Sequence, residues 1–182
     1  KDINSHSLPG AILFSGEEAS GKLSAALETA RILSCSNRGI KSFNCECTSC
    51  LQSKALTTNN LMLLGPRDCF LEIQAAKQSF LNAYKENASY LNATRYLFLR
   101  SIRKLTLRFN PILWKGDSDL SKIAVLLDQI NENLELLDFP RELPDFSSLE
   151  KLCDELVKDT TSLENSYLYA SIPVSQIRNL ED

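Results

Sequence analysis

The feature that most limits what this chain can fold into is a glycine loop set between two different apolar patterns. Ala11-Ile12-Leu13-Phe14-Ser15 is a short continuous apolar run, the composition of a strand buried on both faces. Gly16-Glu17-Glu18-Ala19-Ser20-Gly21-Lys22-Leu23 follows it, and from Leu23 the apolar residues Ala26, Leu27, Ala30 and Leu33 recur at helical spacing. Strand, glycine loop and helix is the setting of a phosphate loop. There, backbone N–H groups wrap the phosphates, the helix N-terminus adds partial positive charge, and a lysine neutralises the terminal phosphates. Gly16, Ala19, Ser20, Gly21, Lys22 and Leu23 are therefore the candidate nucleotide-binding residues. The alternative is a plain glycine turn that happens to carry a lysine. In a hydrolytic loop the residue after the lysine offers a hydroxyl to Mg²⁺, and Leu23 has none. Glu17 and Glu18 add like charge beside any polyphosphate. The expectation is a P-loop poorly equipped to hydrolyse ATP.

Four of the six cysteines crowd into one stretch, Cys35-x9-Cys45-x-Cys47-x2-Cys50. Four thiolates complete a closed structural Zn²⁺ site, and the C-x2-C step has the spacing of a metal knuckle. The C-x-C step from Cys45 to Cys47 is tighter than usual. Cys69 and Cys153 stand apart in apolar surroundings, and no secretory signal opens the chain, so clustering favours metal over disulfides. Buried free thiols without metal are the alternative. Four protein thiolates leave no open coordination position, which excludes catalytic zinc.

Beyond the cysteines, Asn60-Leu61-Met62-Leu63-Leu64 reads as a second buried strand, after a turn at Arg38-Gly39. Glycine then nearly disappears and helical periodicity takes over. One long helical stretch through Phe80, Tyr84, Leu91, Leu99, Ile102, Leu105 and Phe109 is broken at Pro111 and Gly116. A second starts near Asp117 and ends at Pro140 and Pro144, and a third opens on the capping box Ser147-x-x-Glu150. Helices of this kind hide their stripes by forming a small bundle. Tyr167 to Ile172 returns to strand composition, and Pro173 opens a last helix. The expected fold is α/β, a parallel-sheet P-loop domain carrying a four-cysteine zinc module and an all-α insertion. Its expected parts are a P-loop segment over 1–69 with the zinc module at 35–50, the helical insertion over 70–165, and a return to the α/β domain over 166–182. The chain starts at Lys1 and its last residues, to Asp182, enter a new helix, so it reads as part of a longer chain.

Leu8-Pro9-Gly10 through Gly16, the loop closing on Gly21-Lys22, and the helix closing on Cys35 and its cluster together resemble a known family. They are similar to the N-terminal AAA+ P-loop domain of bacterial DNA polymerase III clamp-loader subunits, the delta-prime and gamma/tau type. Ile172-Pro173-Val174-Ser175-Gln176-Ile177-Arg178 looks like that family's strand-to-helix segment. The resemblance covers about 5–68 and 166–182, and the block between has no counterpart in it. It implies a subunit that supports ATP-dependent loading of the sliding clamp at primed DNA, in a cytoplasmic replication assembly with other clamp-loader subunits. Members that use ATP carry a proline, a middle glycine and a threonine where Glu17, Ala19 and Leu23 stand here. That departure resembles the delta-prime members, which act as a stator. Two other readings stay open: an active P-loop ATPase subunit of the same complex, and a zinc-stabilised interaction module without nucleotide chemistry.

Charge adds little. A net charge of −3 over 182 residues gives no global reason to bind nucleic acid. Locally, Arg100, Arg103, Lys104 and Arg108 share one helical face with Arg95 nearby, which could meet DNA phosphates or an acidic partner, or lie solvated with Asp128, Glu132, Glu135, Asp138, Asp154 and Glu155 on the following helices in compensation. No apolar run reaches the ~20 residues of a membrane span, and no nucleophile–base arrangement is visible, so no residue is assigned a catalytic role. The single histidine, His6, is assigned none either. Trp114, after Pro111, is expected to pack the helical block onto its neighbour.

Overall fold

The computed structural model describes residues 8–37, 43–66 and 68–180; His6 and the Arg38-Gly39 turn lie outside the described residues. Every regular element among them is helical. The parallel-sheet α/β architecture expected above is therefore wrong for this chain. Ile12 and Leu13 are exposed, Leu13 at 89%, and the run from Ala11 to Ser15 has no regular structure and no ladder partner. Leu61 to Pro66 is likewise unpaired coil. An extended apolar segment becomes a strand only when a neighbour takes its N–H and C=O groups, and five residues alone cannot supply that. The third expected strand is consumed differently. Tyr167 is the last residue of a helix, the Leu168 N–H still bonds Glu164 O at 3.0 Å, and Leu168 is buried in the core.

The contact pattern divides the chain into two compact units between Leu61 and Met62. In the first, helix α1 (Lys22–Ser34) packs against helix α2 (Thr48–Ala55). Its expected apolar stripe does not make a core: Leu23 and Leu33 are exposed, and Arg31 is the buried residue of α1. The only buried apolar side chains of this unit, among the described residues, are Cys50 and Leu56.

The second unit holds the hydrophobic core. Helices α3 (Phe70–Lys85) and α4 (Leu91–Thr106) form a hairpin, α6 (Phe146–Tyr167) packs on both, and α5 (Leu120–Leu136) packs on α6. A five-residue helix, α7 (Val174–Arg178), follows. The single long helix expected over this region is two, because the chain reverses at Glu86–Tyr90. Asn87 adopts φ 48°, its N–H bonds Tyr84 O at 3.1 Å, and the Ala88 N–H bonds Ala83 O at 2.9 Å. Those two bonds and a left-handed Asn are a Schellman stop. At α6 the cap is Asp145, whose carboxylate accepts from the Ser148 N–H, and not the box at Ser147.

Phe80 stacks on Phe98 with centroids 5.9 Å apart, surrounded by Ile102, Ile123, Ile130, Leu149 and Leu156, all buried. Trp114 stacks on Phe109 at 5.3 Å and meets the Tyr167 edge at 6.5 Å, while its indole N–H donates to Arg108 O. It packs inside this unit. No helix of the described residues is long and apolar enough to cross a membrane.

Candidate metal centre

Helix α1 ends where the cysteines begin. Cys35 is its C-cap, with its N–H on Ile32 O, and Cys47 is the N-cap of α2. Cys50 lies one turn into α2, so a helix end and a helix start hold three of the four thiols, and the connecting loop brings in Cys45. The four sulfurs lie within 4.8 Å of one another, with Cys35 Sγ 3.8 Å from Cys45 Sγ and 4.0 Å from Cys47 Sγ. A tetrahedral Zn²⁺ with Zn–S of ~2.3 Å sets sulfurs about 3.8 Å apart. All four sequence-predicted ligands are thus brought together, Cys45 included despite its tight C-x-C step. The cluster could hold a metal ion, and its donor set and spacing are compatible with structural zinc.

The thiols differ in their surroundings. Cys47 and Cys35 are half-buried and Cys50 is fully buried. The backbone N–H groups of Cys50 and then Ser36 favour the Cys47 thiolate and bring its pKa down to about 6, although no side-chain cap hydrogen bond of full geometry closes on α2. Burial pushes Cys50 the other way, up to about 12, and crowding by the Cys35 and Cys47 thiols adds to it, while Arg31 opposes. A divalent cation is what would draw all four into the thiolate form. The loop is braced by Lys54, which donates to Cys45 O at 3.2 Å and lies over the Phe43 ring, and by a 2.8 Å contact between the Ser36 and Ser49 hydroxyls.

The glycine–lysine loop sits at the other end of α1, about 20 Å away for a helix of 13 residues. Gly16 (φ 153°) and Gly21 (φ 79°) occupy backbone conformations that L side chains avoid, and a Cβ at Gly16 would come within 2.9 Å of Ser20 Oγ. Ala19 is left-handed too, at φ 59°. Lys22 turns back into the loop: its ammonium donates to Gly16 O at 3.0 Å, to Glu17 O, and to Ser20 Oγ at 3.3 Å. An ammonium has three donors, so the loop itself uses all of them. Leu23, the last of the six candidate residues, is exposed and has no oxygen to offer.

Four of the basic residues on and just beyond α4 find partners inside the second unit. Arg95 is buried and donates to Leu137 O, Asp138 O and Arg141 O at 2.7–2.8 Å, closing the C-terminus of α5. Arg103 pairs with Asp138, Lys104 with Glu72, and Arg108 with Asp68 and Pro66 O. These cations pair with carboxylates and carbonyls of neighbouring helices and loops. The residue that sequence reasoning missed is Arg31, which donates to Cys50 Sγ. The signal for it was present in Glu28-x-x-Arg31, a helical i,i+3 ion pair one turn before the first cysteine.

No curated protein and no solved structure matches the chain. The family model described as DNA polymerase III, delta subunit, matches residues 1–113, more than half of the chain. The matched stretch contains the glycine–lysine loop, the cysteine cluster and the α3–α4 hairpin, and on that match the chain belongs to the DNA polymerase III delta-subunit family, with a role in the clamp-loader complex.

Proposed function

We propose that this chain serves the clamp loader as a scaffold subunit of delta-prime type, with one structural Zn²⁺ held by Cys35, Cys45, Cys47 and Cys50, and without hydrolysing ATP itself. The observation that carries the reading is the convergence of four thiols in a unit that buries almost no apolar side chain. Units of about 60 residues with so little core need a staple, and a closed four-thiolate zinc supplies folding energy outright. The metal would tie the end of α1 to the start of α2 and present that corner of the unit to sister subunits. Four protein ligands leave it no position for a substrate.

The loop supports the absence of hydrolysis. Leu23 cannot hold Mg²⁺, and the Lys22 ammonium is occupied by Gly16 O, Glu17 O and Ser20 Oγ. Gly16, Ala19, Ser20, Gly21, Lys22 and Leu23 then work as a turn that starts α1. The sliding clamp and primed DNA are reached through the assembled complex, and the setting is cytoplasmic.

Metal analysis of the purified chain should return one zinc per chain, and a clearly substoichiometric value would remove the zinc assignment. Calorimetric titration with Mg²⁺–ATP should give no heat. In a clamp loader reconstituted with its sister subunits, Lys22→Ala should leave ATP-dependent clamp loading at the wild-type rate. A loss of loading in that variant sinks the scaffold reading.

A further inference from the structure

Arg31 is the buried residue of α1, with a side chain 2% exposed. A guanidinium taken out of water is costly unless its donors are met. Glu28 meets two of them: Nε donates to Oε2 at 2.8 Å and Nη2 to Oε1 at 2.6 Å, a bidentate fork. The third arm, Nη1, donates to Cys50 Sγ at 2.9 Å. An ordinary i,i+3 ion pair on a helix face is solvated and ends at its two members. Here the arginine is buried while Glu28 stays 36% exposed, and the guanidinium carries on to a thiol nineteen residues along the chain, on the neighbouring helix.

The geometry points to Arg31 as a positioning residue for the metal centre: clamped by Glu28, its guanidinium donates to the Cys50 sulfur, turns that side chain toward the other three thiols and offsets the charge of a four-thiolate site. The inference rests on the zinc reading above. Four thiolates around Zn²⁺ leave a net charge of −2 on a site whose deepest ligand is fully buried. Neighbouring thiols cannot relieve that charge, and water does not reach Cys50. Arg31 is the cation within hydrogen-bond distance. A charge-assisted N–H···S bond also withdraws electron density from the sulfur, which lowers its affinity for protons and its reactivity toward electrophiles. Arg31 thus guards the one ligand whose loss would open the site from within. Glu28 sets the angle of the guanidinium, and through it the rotamer of Cys50.

The test uses the full chain loaded with Zn²⁺ and, separately, with Co²⁺ as a spectroscopic probe. Partners of this kind change metal affinity about 10–100-fold when removed. Arg31→Met keeps the stem and removes the donors, so transfer of zinc to a chromogenic chelator should be at least about 10-fold faster. Its sulfur-to-cobalt charge-transfer band should move to lower energy, a shift that a purely structural role would not produce. Arg31→Lys returns one cationic donor and should recover part of both effects. An Arg31→Met chain with the wild-type transfer rate and band position overturns the inference and leaves the zinc reading standing. A wild-type chain that holds neither metal removes the zinc reading first, and the inference with it. If Arg31→Met loses the ellipticity of α1 and α2, Glu28→Gln decides instead. It leaves Arg31 in place but loosens the fork, and transfer at the wild-type rate in that folded variant overturns the inference.

Discussion

Cys69 and Cys153 show at the residue scale what distinguishes a structural thiol from a ligand. Both are buried in the core of the second unit, 1% and 0% exposed, and burial pushes each up to about 12 from an ordinary 9. For Cys69 the nearby Arg108 charge works against that rise, and Asp68 and Glu164 reinforce it. In the unfolded chain these thiols ionise near 9, whereas the folded chain keeps their protons to about 12. Above 9 the unfolded state binds fewer protons, so stability is complete below that pH and is lost as pH rises from 9 toward 12. The urea midpoint read from Trp114 fluorescence, which reports on this unit, should therefore fall between pH 8.5 and pH 10.5. Lysines and tyrosines titrate over the same range, so the comparison is with the Cys69→Ala/Cys153→Ala chain. Its midpoint is lower at pH 8.5 but declines less steeply, and equal slopes in the two chains would refute the assignment. These two thiols were legible in the sequence as outsiders to the cluster, because spacing alone separated them from the other four. The basic face of α4 was legible only as a face. Its acceptors, Asp138, Glu72 and Pro66 O, are 32 to 42 residues distant, and a helical wheel carries no such information.

Among the elements, the α3–α4 hairpin depends on one backbone conformation. Asn87 stands at φ 48°, where asparagine is tolerated and β-branched residues clash with their own carbonyl. Asn87→Val should lower the free energy of unfolding by roughly 1–2 kcal/mol, whereas Asn87→Gly should be close to neutral because glycine gains in conformation what it loses in chain entropy. Urea unfolding of the three chains followed at 222 nm checks this, and a valine variant as stable as wild type would show that the turn does not need the left-handed residue. The stop was readable in principle from an asparagine behind Tyr84-Lys85-Glu86. It was overridden because the apolar period stays helical on both sides, so Tyr84 and Leu91 look like neighbours on one stripe. The start of α6 is a similar case. Ser147-x-x-Glu150 fits the pattern of a box, but Asp145 lies two residues earlier with a better acceptor and takes the Ser148 N–H and hydroxyl. Pattern found both helices; local hydrogen bonding chose their ends.

For the whole molecule, the expected sheet and the expected four-cysteine cluster came from adjacent residues; the sheet does not form and the thiols do converge, for one physical reason. A strand is a property of two segments, and no ladder forms among the described residues for Ala11–Ser15 or for the coil from Leu61 onward. A four-thiol cluster on two neighbouring helix ends is nearly local, with Cys35 and Cys50 only fifteen positions apart, so spacing alone comes close to building it. The same contrast divides the chain by what stabilises it. The second unit buries a continuous apolar core from Cys69 to Leu168, while in the first the buried apolar side chains among the described residues are Cys50, which belongs to the thiol cluster and meets Arg31, and Leu56. Removing the zinc proposed above should therefore act on one unit and spare the other. With a strong chelator at neutral pH, ellipticity should drop by the contribution of α1 and α2, while Trp114 fluorescence and its urea midpoint stay as they were. Zinc returned in slight excess should restore the lost ellipticity, since the ligands are coupled to folding. Chelation that leaves the ellipticity unchanged would mean the first unit folds without metal. Chelation that also shifts the Trp114 midpoint would mean the two units share their stability. The predicted outcome is a chain whose two units respond separately, the first to metal and the second to denaturant.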